Sequence, residues 1–315
     1  MCRFLLIIMI AASIAFASRG ERRSQREAMP RQAEIQSVRP AVAVSVPALG
    51  ALSREILNGV AVDVLEPFGV DFTIGEFEGI ALEYAEILDE IAPRVTAVAG
   101  IRSILPSDPL FAQLRHRNIR IVEIDCAIPP SPVGSAIGIV RFENTQINPF
   151  AWLSLSNAVR MAEILESDFR ALFPQYADRI SANLLDFKQR AFALRNEYAR
   201  KFLQVDNFSA VALSANFDYL LKDINIFVPI RLGAEDAWSA EETQRFRYFV
   251  ENAQVSVVIN AWQTDAPASE IMEKHGIKTA VLRTGFPAGS NFEEGFLAFY
   301  ERNLAALAAA LEIND

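Results

Sequence analysis

Apolar residues along the chain follow two different periods. In the first part, short β-branched runs alternate with stretches in which apolar residues return every third or fourth position. Ala41–Val46, Val60–Leu65, Val95–Ala99 and Ile119–Ile124 have the length and composition of buried strands. Leu49–Leu57 and Pro109–His116 suit helices, and Glu78–Ala92 carries Ile80, Tyr84, Ile87, Leu88 and Ile91 at helical spacing. Strand alternating with helix predicts a parallel sheet covered by helices, because a parallel neighbour is reached only through a crossover connection.

The middle of the chain reads differently. From Leu155 to about Leu203 there is no strand-like run. Ser154 or Ser156 suits the N-cap of a helix running to Phe173, and Pro174 suits the first turn of a second one. That second helix, Pro174–Leu203, places Tyr176, Ile180, Leu184, Phe187, Ala191, Leu194 and Tyr198 on one stripe. About 30 helical residues reach about 45 Å, enough to cross one small domain or join two.

Alternation then resumes. Ser209–Leu213, Ile226–Ile230, Val255–Asn260 and Thr279–Leu282 read as strands. Asn216–Lys222, Glu241–Asn252, Pro267–His275 and Asn291–Glu312 read as helices. The expected fold class is α/β: two similar parallel-sheet α/β lobes joined by a long interdomain backbone helix, with a single interlobe cleft. The expected boundaries are 41–153 for the N-terminal lobe, 154–203 for the connecting helical segment and 204–315 for the C-terminal lobe.

Two segments precede that fold. Residues 1–17 combine Arg3, an apolar stretch from Phe4 to Ala12 and the small-residue pattern Ala15-Phe16-Ala17, which reads as a signal peptide cleaved near Ala17. The apolar stretch is short for a membrane span of about 20 residues, so no span is expected in the mature chain. Residues 18–40 are polar and Arg-rich and read as a disordered leader.

Composition narrows the function. The chain has 315 residues, 51% hydrophobic and 22% charged, which is globular and excludes a disulfide scaffold or a disordered protein. A net charge of −9 opposes nucleic-acid binding, which needs clustered Lys and Arg. With only 2 His and 2 Cys, a His-rich or Cys-rich metal site is excluded. Loss of Cys2 with the signal would leave Cys126, in the apolar run IRIVEIDCAI, as a buried free thiol. There is no G-x-S-x-G elbow, P-loop, H-E-x-x-H or G-x-G-x-x-G, so no enzyme is expected.

One stretch points to a family. Asn148-Pro149-Phe150-Ala151-Trp152-Leu153, followed by Ser156-Asn157-Ala158, resembles the D-P-H-x-W-L-D-P-x-N-A pattern of the periplasmic zinc/manganese receptors of ABC importers, which have a long interdomain helix. Val64-Leu65-Glu66-Pro67 with Gly69-Val70-Asp71 resembles the family's turn after the second strand. Val211–Tyr219 resembles V-x-x-H-D-A-F-x-Y, and Trp238–Glu241 sits at the S-x-A-E helix start. Thr279–Arg283 resembles a strand that ends in a metal-binding Asp. The likeness covers roughly residues 41–312. It implies an exported, periplasmic solute-binding protein that works as a monomer and partners an ABC permease.

The departures change what that resemblance implies. The family's three imidazole positions fall on or near Phe72, on Phe150 and on Ser214, and its carboxylate position falls on Arg283. Phe offers no donor to a metal ion, and a permanently protonated Arg repels one. Aromatic rings, a hydroxyl and a guanidinium instead suit an organic anion or a metal chelate, since Arg grips carboxylate or phosphate bidentately. The expected ligand-binding residues are therefore Phe72, Phe150, Ser214, Asn216 and Arg283, with Trp152 and Trp262 nearby and no cofactor. Two other readings stay open. The rings fill the space of a lost ion, leaving a ligand-less docking protein in which Arg283 pairs with a carboxylate such as Asp71 or Glu143. Alternatively, a divergent metal receptor uses Asp71, Glu76, Glu78, Glu143, Asp218 and Asp236 for a hard ion.

Overall fold

A computed structural model describes residues 39–68, 83–129, 134–142, 145–252, 254–285 and 295–313. The signal-peptide and leader readings, apart from residues 39–40, lie outside these residues. Among the described residues, no helix is long and apolar enough to cross a membrane.

Two four-stranded parallel sheets organise the molecule. The first contains β1 (Ala41–Val44), β2 (Asp63–Leu65), β3 (Val95–Gly100) and β4 (Val122–Asp125), in the order β2-β1-β3-β4. The second contains β5 (Ser209–Ala212), β6 (Phe227–Arg231), β7 (Val257–Asn260) and β8 (Lys278–Val281), in the order β6-β5-β7-β8. Every pairing is parallel. All eight strands coincide with predicted runs to within a few residues. Strand β1 is fully buried because helices cover both faces of its sheet, which is why it reads AVAV without polar alternation.

The connecting helices are α1 (Pro47–Ile56), α2 (Ala85–Ile91) and α3 (Leu110–Arg117) in the first lobe. The second lobe has α6 (Asp218–Asp223), α7 (Ala240–Glu251), α8 (Ala268–Glu273) and the C-terminal α9 (Phe296–Ala310). Between the lobes run α4 (Leu155–Leu172) and α5 (Ala177–Phe202). Local chemistry sets several of these starts. Pro47 occupies the first turn of α1, and Ser239 with Glu242 forms a reciprocal capping box on α7.

One boundary differs from expectation. Pro174 opens a 3-10 turn over Pro174–Tyr176, and α5 begins only at Ala177. The proline ring disfavours helical backbone at Phe173, which sits at φ −127° and ψ 59°. The chain therefore turns before the long helix starts. Its 26 residues span about 39 Å.

The core runs continuously through both lobes. It joins β1 and β3, α1, α4, α5 and α9 with Ala210, Ala212, Val257 and Ile259 of the second sheet. The alternate residues Val211 and Val258 face the opposite way, into a smaller cluster with Phe246, Val250, Ile271 and Met272 under α7 and α8. Phe187 of α5 meets Phe296 of α9 edge to face, 6.2 Å between centroids. The C-terminal helix thus belongs to the shared core and not to the second lobe alone. Cys126 is fully buried and unpaired, as its apolar run predicts, and burial pushes its thiol pKa well up.

Candidate functional site

Parallel sheets present their loops at the carboxyl ends of their strands, and ligands settle where the strand order reverses. In this fold the reversals lie between β1 and β3 and between β5 and β7. The segments that leave the carboxyl ends of β5 and β8 carry Ser214–Asn216 and Arg283–Thr284. The 3-10 turn Ala151–Leu153, which leads into α4, follows Asn148–Phe150.

Two hydrogen bonds bring these segments together. Asn148, fully buried, donates through Nδ2 to the Ala215 carbonyl at 2.9 Å and to that of Asn216 at 3.5 Å. The Trp152 indole Nε1 donates to the Thr284 carbonyl at 2.8 Å. One end of the short 148–152 segment is thus tied to the loop after β5, and its other end to the loop after β8. Phe150 lies between the two ties. Its backbone N–H donates to Asn148 Oδ1 at 2.9 Å, and its half-buried ring packs edge-on against Trp152 at 5.5 Å and 70°.

Ser214 adopts extended backbone, and its hydroxyl oxygen accepts weakly from the Asn216 N–H at 3.4 Å, capping the 3-10 turn Ala215–Phe217. Arg283 is held by its main chain. Buried Asn303 of α9 accepts from the Arg283 N–H at 2.8 Å and donates to the Arg283 carbonyl at 3.0 Å. The Arg283 side chain is exposed and makes no hydrogen bond or ion pair among the described residues. Phe72 lies outside the described residues, as do Asp71, Glu76, Glu78 and Glu143. Trp262, beyond β7, is exposed.

A second junction lies at the start of α4. Asp223, the last residue of α6, accepts from the Leu155 N–H at 2.9 Å. It also accepts from Ser154 Oγ at 3.0 Å, Ser156 Oγ at 2.8 Å and Tyr300 Oη at 3.3 Å. Ser154 meanwhile caps the helix through Asn157 N–H at 3.1 Å. The positive end of an 18-residue helix is therefore plugged by a carboxylate from the other lobe. Asn157 completes the junction by exchanging hydrogen bonds with Gly138 at 2.8 and 2.9 Å. Tyr219 Oη accepts from the Val140 N–H at 3.0 Å.

Two carboxylates of the first lobe are withdrawn from water. Asp108 accepts from Ser45 Oγ and from the Leu110 N–H, and burial raises its pKa. Glu66 pairs with Arg54 across Gly50, where a Cβ would fall 1.9 Å from Glu66 Oε1. Its other oxygen, Oε2, is buried without a hydrogen-bond partner, and burial pushes this carboxyl up to about 7.

The described donor set does not fit a transition-metal ion. Phe150 offers no donor, Ser214 offers a neutral hydroxyl already used in a turn, and Arg283 brings a positive charge. Among the described residues, no group of three His, Cys, Asp or Glu side chains is placed to hold an ion. His116 and His275 are exposed. Asp218 pairs with Arg231 at 3.0 Å, and Asp236 is exposed in a 3-10 turn.

Sequence reasoning missed Asp223 and Asn303. Neither stands in a motif. A lone Asp at a helix end and a lone Asn on a helix carry no signal until the partner element is in place.

Comparison with known proteins gives a consistent result. A sequence model of the family described as zinc-uptake complex component A, periplasmic (ZnuA), matches residues 75–310. The Zn(II)-bound ZnuA-like domain of AdcA from Streptococcus pneumoniae superposes with a TM-score of 0.67 at 17% identity, covering 87% of this chain and 100% of that one. A mutant of FpvC from Pseudomonas aeruginosa gives 0.67 at 16%, with 87% and 100% covered. The laminin-binding protein Lmb of Streptococcus agalactiae, described as bifunctional with adhesin and metal-transporting activity, gives 0.63 at 20%, with 86% and 99% covered. Among curated proteins, none matches the sequence.

Proposed function

The chain belongs to the periplasmic zinc-uptake component A (ZnuA) family, and from that premise we propose that its interlobe cleft takes an organic anion or a metal chelate in place of a bare ion. It is then an exported solute-binding protein, not an enzyme, and delivers its solute to an ABC permease. The signal peptide, a cleavage near Ala17 and a monomeric state are parts of the same reading.

The observation that carries it is the character of the tied segments. Phe150 presents an apolar ring where the family pattern has an imidazole, and Arg283 presents a guanidinium, unpartnered among the described residues, where the pattern has a carboxylate. A guanidinium on a fixed backbone offers a planar, two-pronged grip for a carboxylate or phosphate. An aromatic wall beside it buries planar or apolar ligand surface. Phe72, Ser214 and Asn216 complete the proposed site.

The test is calorimetry on chelator-treated protein against Zn²⁺, Mn²⁺, Fe³⁺ and a panel of organic anions and metal chelates. The reading expects a response to anions or chelates that Arg283→Ala abolishes. A submicromolar response to bare Zn²⁺ overturns it in favour of a metal receptor with displaced ligands. Silence across the whole panel overturns it in favour of a ligand-less docking protein, whose cleft is packed by Phe150 against Trp152.

A further inference from the structure

A cavity lies away from the segments tied by Asn148 and Trp152. It has a volume of about 290 Å³ and sits between α4 and α5. That is near the lower end of ligand pockets, roughly 300–1,000 Å³. Its floor is apolar, made by Leu155 and Val159 of α4 and Ala191 and Phe192 of α5. Phe192 is 53% exposed, and Leu185, one heptad earlier on the same stripe of α5, is 59% exposed. Neighbouring large apolar side chains left in water on one helix face mark a surface built to be covered.

The rim of this cavity is cationic, although the protein as a whole is acidic. Arg160, Lys188 and Arg195 face a single carboxylate, Glu163. Glu163 is already saturated by Arg160 at 2.7 Å and Lys188 at 2.6 Å, and these two cations lower its pKa. Arg195 is left over. It makes no hydrogen bond or ion pair among the described residues. It also lines an adjoining cavity of about 210 Å³, walled by Tyr198, Phe202, Tyr300 and Leu304, where the Asp223 carboxylate is already engaged by Leu155, Ser154, Ser156 and Tyr300. Among the described residues, one guanidinium without a hydrogen bond or ion pair therefore stands beside the apolar floor of the α4/α5 groove. That combination matches an amphiphile with a single negative head.

We propose that the α4/α5 groove is a second binding site, separate from the interlobe cleft, for a small amphiphilic carboxylate. The carboxylate pairs with Arg195, and the hydrocarbon body lies over Leu155, Val159, Ala191 and Phe192. Arg195 supplies the two-pronged recognition of the head, and Phe192 gives up its water-exposed face to the tail.

Calorimetric titration of the full chain with decanoate, below its micelle concentration, tests this, with decanol as the uncharged control. Expected is saturable one-to-one decanoate binding, with decanol at least tenfold weaker. Arg195→Gln and Phe192→Ser are each expected to weaken decanoate at least tenfold, while Arg283→Ala leaves it unchanged. Both altered groove residues are exposed, and circular dichroism checks that the variants fold. The proposal is overturned by absence of saturable binding, by equal binding of decanol, or by affinity that survives Arg195→Gln in a folded variant. Loss of decanoate binding in Arg283→Ala alone overturns it too, and assigns the carboxylate to the interlobe cleft.

Discussion

Removal of the Asp223 carboxylate is the sharpest test of how the lobes are joined. Asp223→Ala deletes an acceptor for four hydrogen bonds, but their loss is unequal. Ser156 is exposed and turns to water, and Ser154 keeps its bond from Asn157. The cost concentrates on two groups. The Leu155 N–H loses a charged cap at the positive end of α4, worth about 1–2 kcal/mol. Tyr300, 1% exposed, loses the partner of a buried hydroxyl, which costs about 1–3 kcal/mol. The expected destabilisation is therefore about 3 kcal/mol, read from the urea midpoint at unchanged slope. Asp223→Asn keeps one acceptor oxygen and is expected to lose about half as much. Tyr300→Phe removes the hydroxyl itself and is expected to cost about 1 kcal/mol. The double variant Asp223→Ala/Tyr300→Phe should then be less damaged than the sum of its parts, because no unsatisfied hydroxyl remains. Strict additivity, or an Asp223→Ala loss below about 1 kcal/mol, refutes the account of Asp223 as the bolt between α6 and α4.

Three further outcomes follow from the same geometry. Glu66 has its pKa raised by burial to about 7, so the folded state holds a proton that the unfolded chain releases near 4.5. Its contribution is present below the unfolded value and is lost as pH rises through 7, by up to about 1.4 kcal/mol per pH unit across that window. Glu66→Gln should flatten this fall and gain up to about 3 kcal/mol at pH 8 relative to pH 5, while parallel pH profiles for wild type and variant sink the assignment. Trp152→Phe removes the indole N–H from the Thr284 carbonyl and is expected to cost about 1 kcal/mol, seen as a lowered urea midpoint. The combination Phe150→His, Ser214→His and Arg283→Asp supplies two imidazoles and a carboxylate on the tied segments. It should give Zn²⁺ binding, by calorimetry, at least a hundredfold tighter than the parent, and no gain would show that these positions are not the family's ligand positions.

Periodicity made the fold legible because each strand is short, β-branched and separated from the next by a helical stretch. Strands such as β1 and β7, buried on both faces, announce themselves as continuous apolar runs. Pro174 suits the start of the long helix, yet the constraint that a proline places on the residue before it diverts the chain through a 3-10 turn first. The shared core was not legible. That α9 would reach beyond its own lobe and meet Phe187 depends on packing between elements distant in sequence, which no local period reports.

The motif itself divides by physical role. Asn148, Trp152 and Asn157 are the parts that match the family pattern best or most conservatively. Each spends its polar group on a main-chain partner elsewhere: Ala215, Thr284 and Gly138. They hold the segment in place whatever the cleft contains. Phe150 contributes its backbone N–H to the same scaffold, while its ring packs on Trp152 and makes no polar contact. Arg283 behaves alike, since its main chain is fixed by Asn303, whereas Ser214 caps its turn with its own hydroxyl. The bonds that place these short segments therefore leave the Phe150 and Arg283 side chains uninvolved.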